Sequence, residues 1–132
     1  MRGPSCRVGA CPLQRVLGWV FGLFDRKGDV MYQEIFAEEL GAWRGRGARV
    51  VDVRERWEYE AGHIPGSENV PLDALASLKL DGKPIVLVCA SGNRSGYAAQ
   101  LLAQRGFTEV ANLLGGTAGW ARQGRELTRG RG

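Results

Sequence analysis

Residues 85–96 read IVLVCASGNRSG, and YAAQLLAQRG follows at 97–106. Ile85 to Val88 form an unbroken apolar run closed by Cys89, the pattern of a strand buried on both faces. Beyond the polar loop, Tyr97, Leu101 and Leu102 line one face of a predicted helix that stops at Gly106. Strand, short loop and helix make a βα unit, and α/β proteins place their sites at the carboxyl edge of such strands. A lone thiol at that edge meets the free N–H groups and the positive dipole end of the next helix. The loop residues are small enough for their N–H groups to turn inward as an anion-binding nest. Both effects favour thiolate over thiol, so the Cys89 pKa is expected below that of a free cysteine. A buried, inert core cysteine would not need Ser-Gly-Asn-Arg-Ser after it.

The same alternation extends in both directions. Tyr32, Ile35, Phe36, Leu40 and Trp43 recur at three- and four-residue steps with Glu34, Glu38 and Glu39 between them, which predicts an amphipathic helix ending near Gly41 to Gly47. Arg49 to Val53 is a short strand rich in β-branched residues. Trp57 and Tyr59 lead into the loop Gly62-His63-Ile64-Pro65-Gly66, and Val70-Pro71-Leu72 resumes an extended path. Asp73 can cap a short helix through Leu78, and Asp81-Gly82 turns the chain into the strand at 85. Glu109 to Leu113 is a last strand, and Gly115-Gly116 precedes a short helix around Trp120. Strands alternating with helices predict an α/β fold, a parallel sheet with helices on both faces.

The 132 residues suffice for one domain, and a hydrophobic fraction of 44% is ordinary for a chain with a single core. The net charge of +4 is uneven. Arg2, Arg7 and Arg15 lie near the start, and Arg122, Arg125, Arg129 and Arg131 near the end. A nucleic-acid binder would carry a basic stripe interleaved with aromatics on a folded face, so solvated basic ends are expected here and no nucleic-acid partner. Cys6 and Cys11 have no second Cys or His pair downstream, which leaves a zinc site unsupported, and no metal or cofactor is expected. The odd cysteine count fits free thiols in a reducing, cytoplasmic setting.

Residues 1–28 show no periodicity apart from an apolar run, Val16 to Phe24, which is too short to cross a bilayer. No Ala-x-Ala-like cleavage site follows it. Two readings stay open for the run: packing on its own domain, or weak association with a membrane surface. The expected organisation is a leader at 1–28, a folded domain at 29–123 and a basic tail at 124–132.

Three blocks, VVDVRERWEYEAGHIPGSENVPL, IVLVCASGNRSGYAAQLL and VANLLGGTAGW, together resemble the single-domain rhodanese (sulfurtransferase) family, in the right order and over roughly residues 29–123. The resemblance implies a five-stranded parallel sheet flanked by helices and a Cys89 that becomes a persulfide. The implied reaction moves sulfane sulfur from a donor such as thiosulfate to a thiophilic acceptor, which is cyanide, a thiol or a protein. Sulfite leaves as a stable anion and needs no general acid, in keeping with a loop that holds no Asp, Glu or His. The expected substrate-binding residues are Ala90, Ser91, Gly92, Asn93, Arg94 and Ser95, with the loop N–H groups cradling the sulfur, Arg94 adding charge at the rim and the serines donating hydrogen bonds. Many members of the family carry a basic residue directly after the cysteine, where this chain has Ala90.

Two other readings are weighed against this one. A persulfide carrier or interaction module would use the same cysteine without turning over free substrates. A cysteine phosphatase or arsenate reductase would carry Arg six positions after the cysteine, whereas Arg94 lies five after Cys89. Outside the loop, Arg54 is the candidate for the substrate rim, and Asp52 and Glu55 tie loops together. His63 is expected to fix its loop rather than to form a Cys–His dyad, and Trp120 to pack in the core.

Overall fold

The computed structural model describes residues 32–131, so Cys6, Cys11, the apolar run Val16 to Phe24 and the leader lie outside the described residues. Among the described residues no helix is long and apolar enough to cross a membrane.

Two strands make the centre of the sheet, β4 (Ile85–Val88) and β5 (Val110–Leu113), and every residue of both is buried. On their flanks lie β1 (Gln33–Ile35), beside β5, and β2 (Arg49–Asp52), beside β4. A two-residue β3 (Glu68–Asn69) closes the edge, giving the order β1-β5-β4-β2-β3. All four pairings are parallel, with Val51 opposite Leu87 and Leu87 opposite Asn112 in register. A fully parallel sheet needs crossover helices, and the chain supplies α1 (Leu40–Gly45), α2 (Arg56–Ala61), α3 (Asn93–Gln104) and α4 (Gly116–Arg122).

The two-residue period of β4 decides which way the cysteine faces. Ile85, Leu87 and Cys89 pack with Val51, Val53 and Ala98, Ala99 and Leu102 of α3. Val86 and Val88 point the other way, into a second cluster with Ile35, Leu40, Trp43, Ile64 and Leu113. Burying each such Val, Leu or Ile contributes about 1.5–3 kcal/mol, so a slip of one residue in β4 would exchange the two faces at high cost. Parity therefore aims the Cys89 side chain at the α3 side of the sheet.

The first predicted helix is corrected. Gln33–Ile35 is an edge strand, and helix begins only after Phe36, as a 3-10 turn at Ala37–Glu39 that runs into α1. Pairing of Gln33 with Ala111 and Ile35 with Leu113 gives the backbone a ladder, and the Leu114 N–H donates to the Ile35 carbonyl at 2.8 Å. A helix through this stretch would have used Phe36 as a core residue, but Phe36 is exposed and its N–H is held by the Glu39 carboxylate at 2.9 Å. The stretch Arg56–Ala61 carries a further helix, α2, where only a lead into a loop was expected. Its start is a capping box, with the Glu55 N–H donating to Glu58 Oε1 at 3.0 Å. The short helix expected from Asp73 is a 3-10 segment, Leu72–Ser77.

Residues 124–131, expected as a basic tail, fold back on this frame. Thr128 and His63 exchange both backbone hydrogen bonds at 2.8 Å, and the Gly130 N–H donates to the Glu60 carbonyl. Arg129 and Arg131 remain at the surface.

Candidate active site

Cys89 is a free, buried thiol one residue past β4. Its own carbonyl and that of Ala90 accept the Thr117 and Ala118 N–H groups of α4, at 2.8 and 3.0 Å. A planar trans peptide points its N–H opposite to its carbonyl. Anchoring the Ala90 carbonyl on α4 therefore turns the Ser91 N–H the other way, toward the sulfur. Gly92 bends the loop in the left-handed region at φ 106°, and its N–H donates to Cys89 Sγ at 3.0 Å. The Asn112 side chain, rising from β5, donates Nδ2–H to the Gly92 carbonyl at 3.1 Å and so pins the far side of the same turn.

Ser95 completes the ring of donors. It is buried on the first turn of α3 with Oγ 3.4 Å from Cys89 Sγ. The same hydroxyl lies 2.5 Å from Asn112 Oδ1, so one proton serves two acceptors. Burial by itself pushes the Cys89 thiol up, but hydrogen bonds from the Ser95 hydroxyl and from the N–H groups of Ser95, Gly92 and Ser91 outweigh it. The net effect holds Cys89 below the ordinary thiol range. The remaining loop residues are more open: Ala90 is half-buried, and Ser91 and Asn93 are exposed.

Arg94 is placed at the rim, but its guanidinium is not free. It forks onto Glu58 of α2, with Nη1 to Oε1 at 2.9 Å and Nη2 to Oε2 at 3.0 Å. Hydrogen bonding to Glu58, more than any other influence, raises Arg94. Glu58 in turn falls below the usual carboxylate range, chiefly through Arg94.

The candidates outside the loop are drawn away from the sulfur. Arg54 is buried and grips Asp52 through Nε and Nη2, at 2.9 and 2.8 Å to its two oxygens, while Nη2 also donates to the Gly62 carbonyl. With that fork filled, Arg54 is a brace between β2 and the Gly62 loop. His63 stacks on Tyr59 at 3.7 Å between ring centroids, and its Nδ1 faces the Tyr59 carbonyl at 2.8 Å. Its Nε2 is buried without a hydrogen-bond partner, so His63 does not engage the Cys89 sulfur. Trp120 is half-buried against the second core cluster and donates Nε1–H to the Glu126 carbonyl.

Two residues of the site escaped sequence reasoning. Asn112 stood as a polar residue inside an otherwise apolar strand, and a buried amide of that kind signals a required hydrogen-bond partner. Glu58 carried the signal of its capping box with Glu55, but nothing in the chain order linked it to an arginine 36 residues away.

A parallel α/β sheet with a thiol ringed by N–H and O–H donors on the loop after its central strand defines the class of protein. The chain belongs to the rhodanese-like family, whose domain it matches over residues 36–123. It is 40% identical over 93 residues to thiosulfate sulfurtransferase GlpE of Pseudomonas paraeruginosa, covering 67% of this chain and 84% of that protein. It is 46% identical over 78 residues to the uncharacterized protein YqhL of Bacillus subtilis, covering 57% of this chain and 62% of that one. Among solved structures it resembles a rhodanese-related protein of Thermoplasma volcanium, with a TM-score of 0.64 and 34% identity over 74% of this chain and 98% of the other.

Proposed function

We propose that this chain is a sulfurtransferase that carries sulfane sulfur as a persulfide on Cys89, from a donor such as thiosulfate to a thiophilic acceptor such as cyanide, a small thiol or a protein thiol. The observation that carries this reading is the ring of N–H and O–H donors, from Ser91, Gly92 and Ser95, around a thiol held below its ordinary range. The relationship to proteins named thiosulfate sulfurtransferase supports it.

In the first step the Cys89 thiolate attacks the outer sulfur of thiosulfate. A new S–S bond forms, and the old one breaks with its electron pair leaving on sulfite. In the second, the acceptor attacks the outer sulfur of the persulfide and the pair returns to Cys89. Both departing groups are stable anions, so no side chain has to deliver a proton. The donors that lower the thiol converge on Sγ, where the charge lies before the first attack and to which the electron pair returns in the second step. A free thiol as nucleophile suits a reducing compartment such as the cytoplasm.

Phosphoryl transfer fits less well. The loop is one residue shorter between Cys and Arg, and the Arg94 fork that would clamp a tetrahedral oxyanion already holds the Glu58 carboxylate.

Intact mass measurement after incubation with thiosulfate tests the proposal. One added sulfur is expected, located on Cys89 and removed by cyanide as thiocyanate. A loaded Cys89 that cyanide does not discharge would favour the carrier reading, and no added sulfur from any sulfane donor would end both.

A further inference from the structure

Among the described residues, the cations named as candidates for the cradle are both already paired. Position 90, first in the loop, is alanine, and Arg94 is the one cation between residues 90 and 95. Both terminal nitrogens of Arg94 are engaged by Glu58, at 2.9 and 3.0 Å. The next candidate, Arg54, is buried and committed to Asp52 and the Gly62 carbonyl.

Glu58 is fixed for this role independently of Arg94. Its Oε1 also accepts the Glu55 N–H at 3.0 Å, so the start of α2 holds the carboxylate in place. Its side chain is 18% exposed against 40% for Arg94, so the acid is the better shielded partner. The pair also stays ionised across the neutral range, since each partner shifts the other away from neutrality. A donor arriving at the rim therefore meets a neutral ion pair and a set of backbone N–H groups.

Resting on the sulfur-transfer reading above, we propose that this site takes its sulfur from low-charge organic persulfides in preference to the thiosulfate dianion, and that Glu58 sets the preference by occupying Arg94. Such a donor, R–S–S–H, carries at most one negative charge where thiosulfate carries two. The Cys89 thiolate attacks its outer sulfur, forming the new S–S bond. The donor's own S–S bond breaks, its electron pair leaving on R–S⁻, and the proton stays on the transferred sulfur as Cys89–S–S–H. The step needs no further oxidant or reductant. The discrimination is of charge at the rim, where Glu58 holds Arg94.

The test is single-turnover loading of the wild-type protein, followed by intact mass, with thiosulfate and with the persulfide of a small uncharged thiol. The persulfide should load Cys89 about tenfold more efficiently or better, the worth of one missing charge-assisted hydrogen bond. Glu58→Gln, which releases Arg94, should move the donor ratio about fivefold toward thiosulfate, and that gain should fade as salt rises toward about 0.5 M. In the wild type the thiosulfate rate should stay nearly flat over the same salt range. Equal or faster loading by thiosulfate, or a steep fall of its wild-type rate with salt, would overturn the proposal, and the salt series does so without any variant having to fold. A folded Glu58→Gln protein of lower Tm but unchanged donor ratio would make the ion pair a staple between α2 and α3 only, and also overturns it. Failure of both donors to label Cys89 would instead remove the sulfur-transfer reading beneath it.

Discussion

Gly116 lies so close to the Cys89 carbonyl that a β-carbon added to it would come within 2.3 Å of that oxygen. The contact is with backbone, which cannot swing aside as a side chain does. Gly116 also sits at φ 56°, a conformation that costs an ordinary residue about 1–2 kcal/mol. Any larger residue at 116 must therefore push the Cys89–Ala90 carbonyls off α4 and turn the Ser91 N–H away from the sulfur. Gly116→Ala is expected to lower stability by about 2 kcal/mol or more and to slow Cys89 persulfidation more than tenfold. Thermal unfolding and single-turnover loading check it; a variant as stable and as fast as the wild type would show that the loop does not depend on this approach.

The Ser95 hydroxyl leads the hydrogen bonds that hold Cys89 below the ordinary thiol range. The hydrogen bonds that lower the thiol raise its reactivity at neutral pH, and the reactive form is lost as pH falls through the depressed value. Ser95→Ala removes the hydroxyl donor, so the acid limb of the loading rate should move to higher pH. The rate should drop about tenfold at pH values below that limb and recover above it. Asn112→Asp should shift the limb in the same direction, because a carboxylate holds the Ser95 proton more strongly and places a negative charge behind the sulfur. A pH–rate series on the three proteins decides it, and superimposable profiles would contradict the assignment.

Cys89 alone is expected to carry the sulfur. Cys89→Ser should abolish thiosulfate:cyanide transfer to background, while joint replacement of Cys6 and Cys11 should leave turnover within about twofold of the wild type. Transfer that survives in Cys89→Ser would place the nucleophile elsewhere.

The Asp52–Arg54 pair is a stability element. Asp52 is completely buried, so Arg54→Met would strand a carboxylate without its counter-ion. Breaking such a pair costs about 3–5 kcal/mol, which urea unfolding would register as a large fall in midpoint at unchanged m-value. A loss below about 1 kcal/mol would mean that water reaches Asp52 and takes over from the guanidinium.

The described residues, 32–131, belong to one compact unit. A chain beginning at Asp29 is expected to fold and to turn over near the full-length rate. If the apolar run Val16 to Phe24 associates with membrane surfaces, only the full-length chain will co-sediment with anionic vesicles. A shortened chain that cannot fold would assign the run to the core instead.

What the chain determined unaided was local. The apolar run Ile85 to Val88, the thiol closing it and the small loop before a helix could be read because a strand's burial and a helix's start are written in neighbouring residues. So were the parallel sheet and the direction of the Cys89 shift, since alternation of strands with helices and a nest of N–H groups both follow from short-range pattern. What required tertiary structure was every relationship between distant segments. The stretch from Tyr32 carries a helical period, yet β5 offered its first three residues a ladder that no local signal announces. Asn112 became a part of the site only because β5 lies beside β4, which lets one amide reach both Gly92 and Ser95. Arg94, read as positive charge at the rim, is half of an ion pair, because the packing of α2 against the loop brings Glu58 across 36 residues of chain. Electrostatic pairing depends on distance in space, and sequence records only distance along the chain; the position of the proposed nucleophile could be read from the residues, and the charge that surrounds it could not.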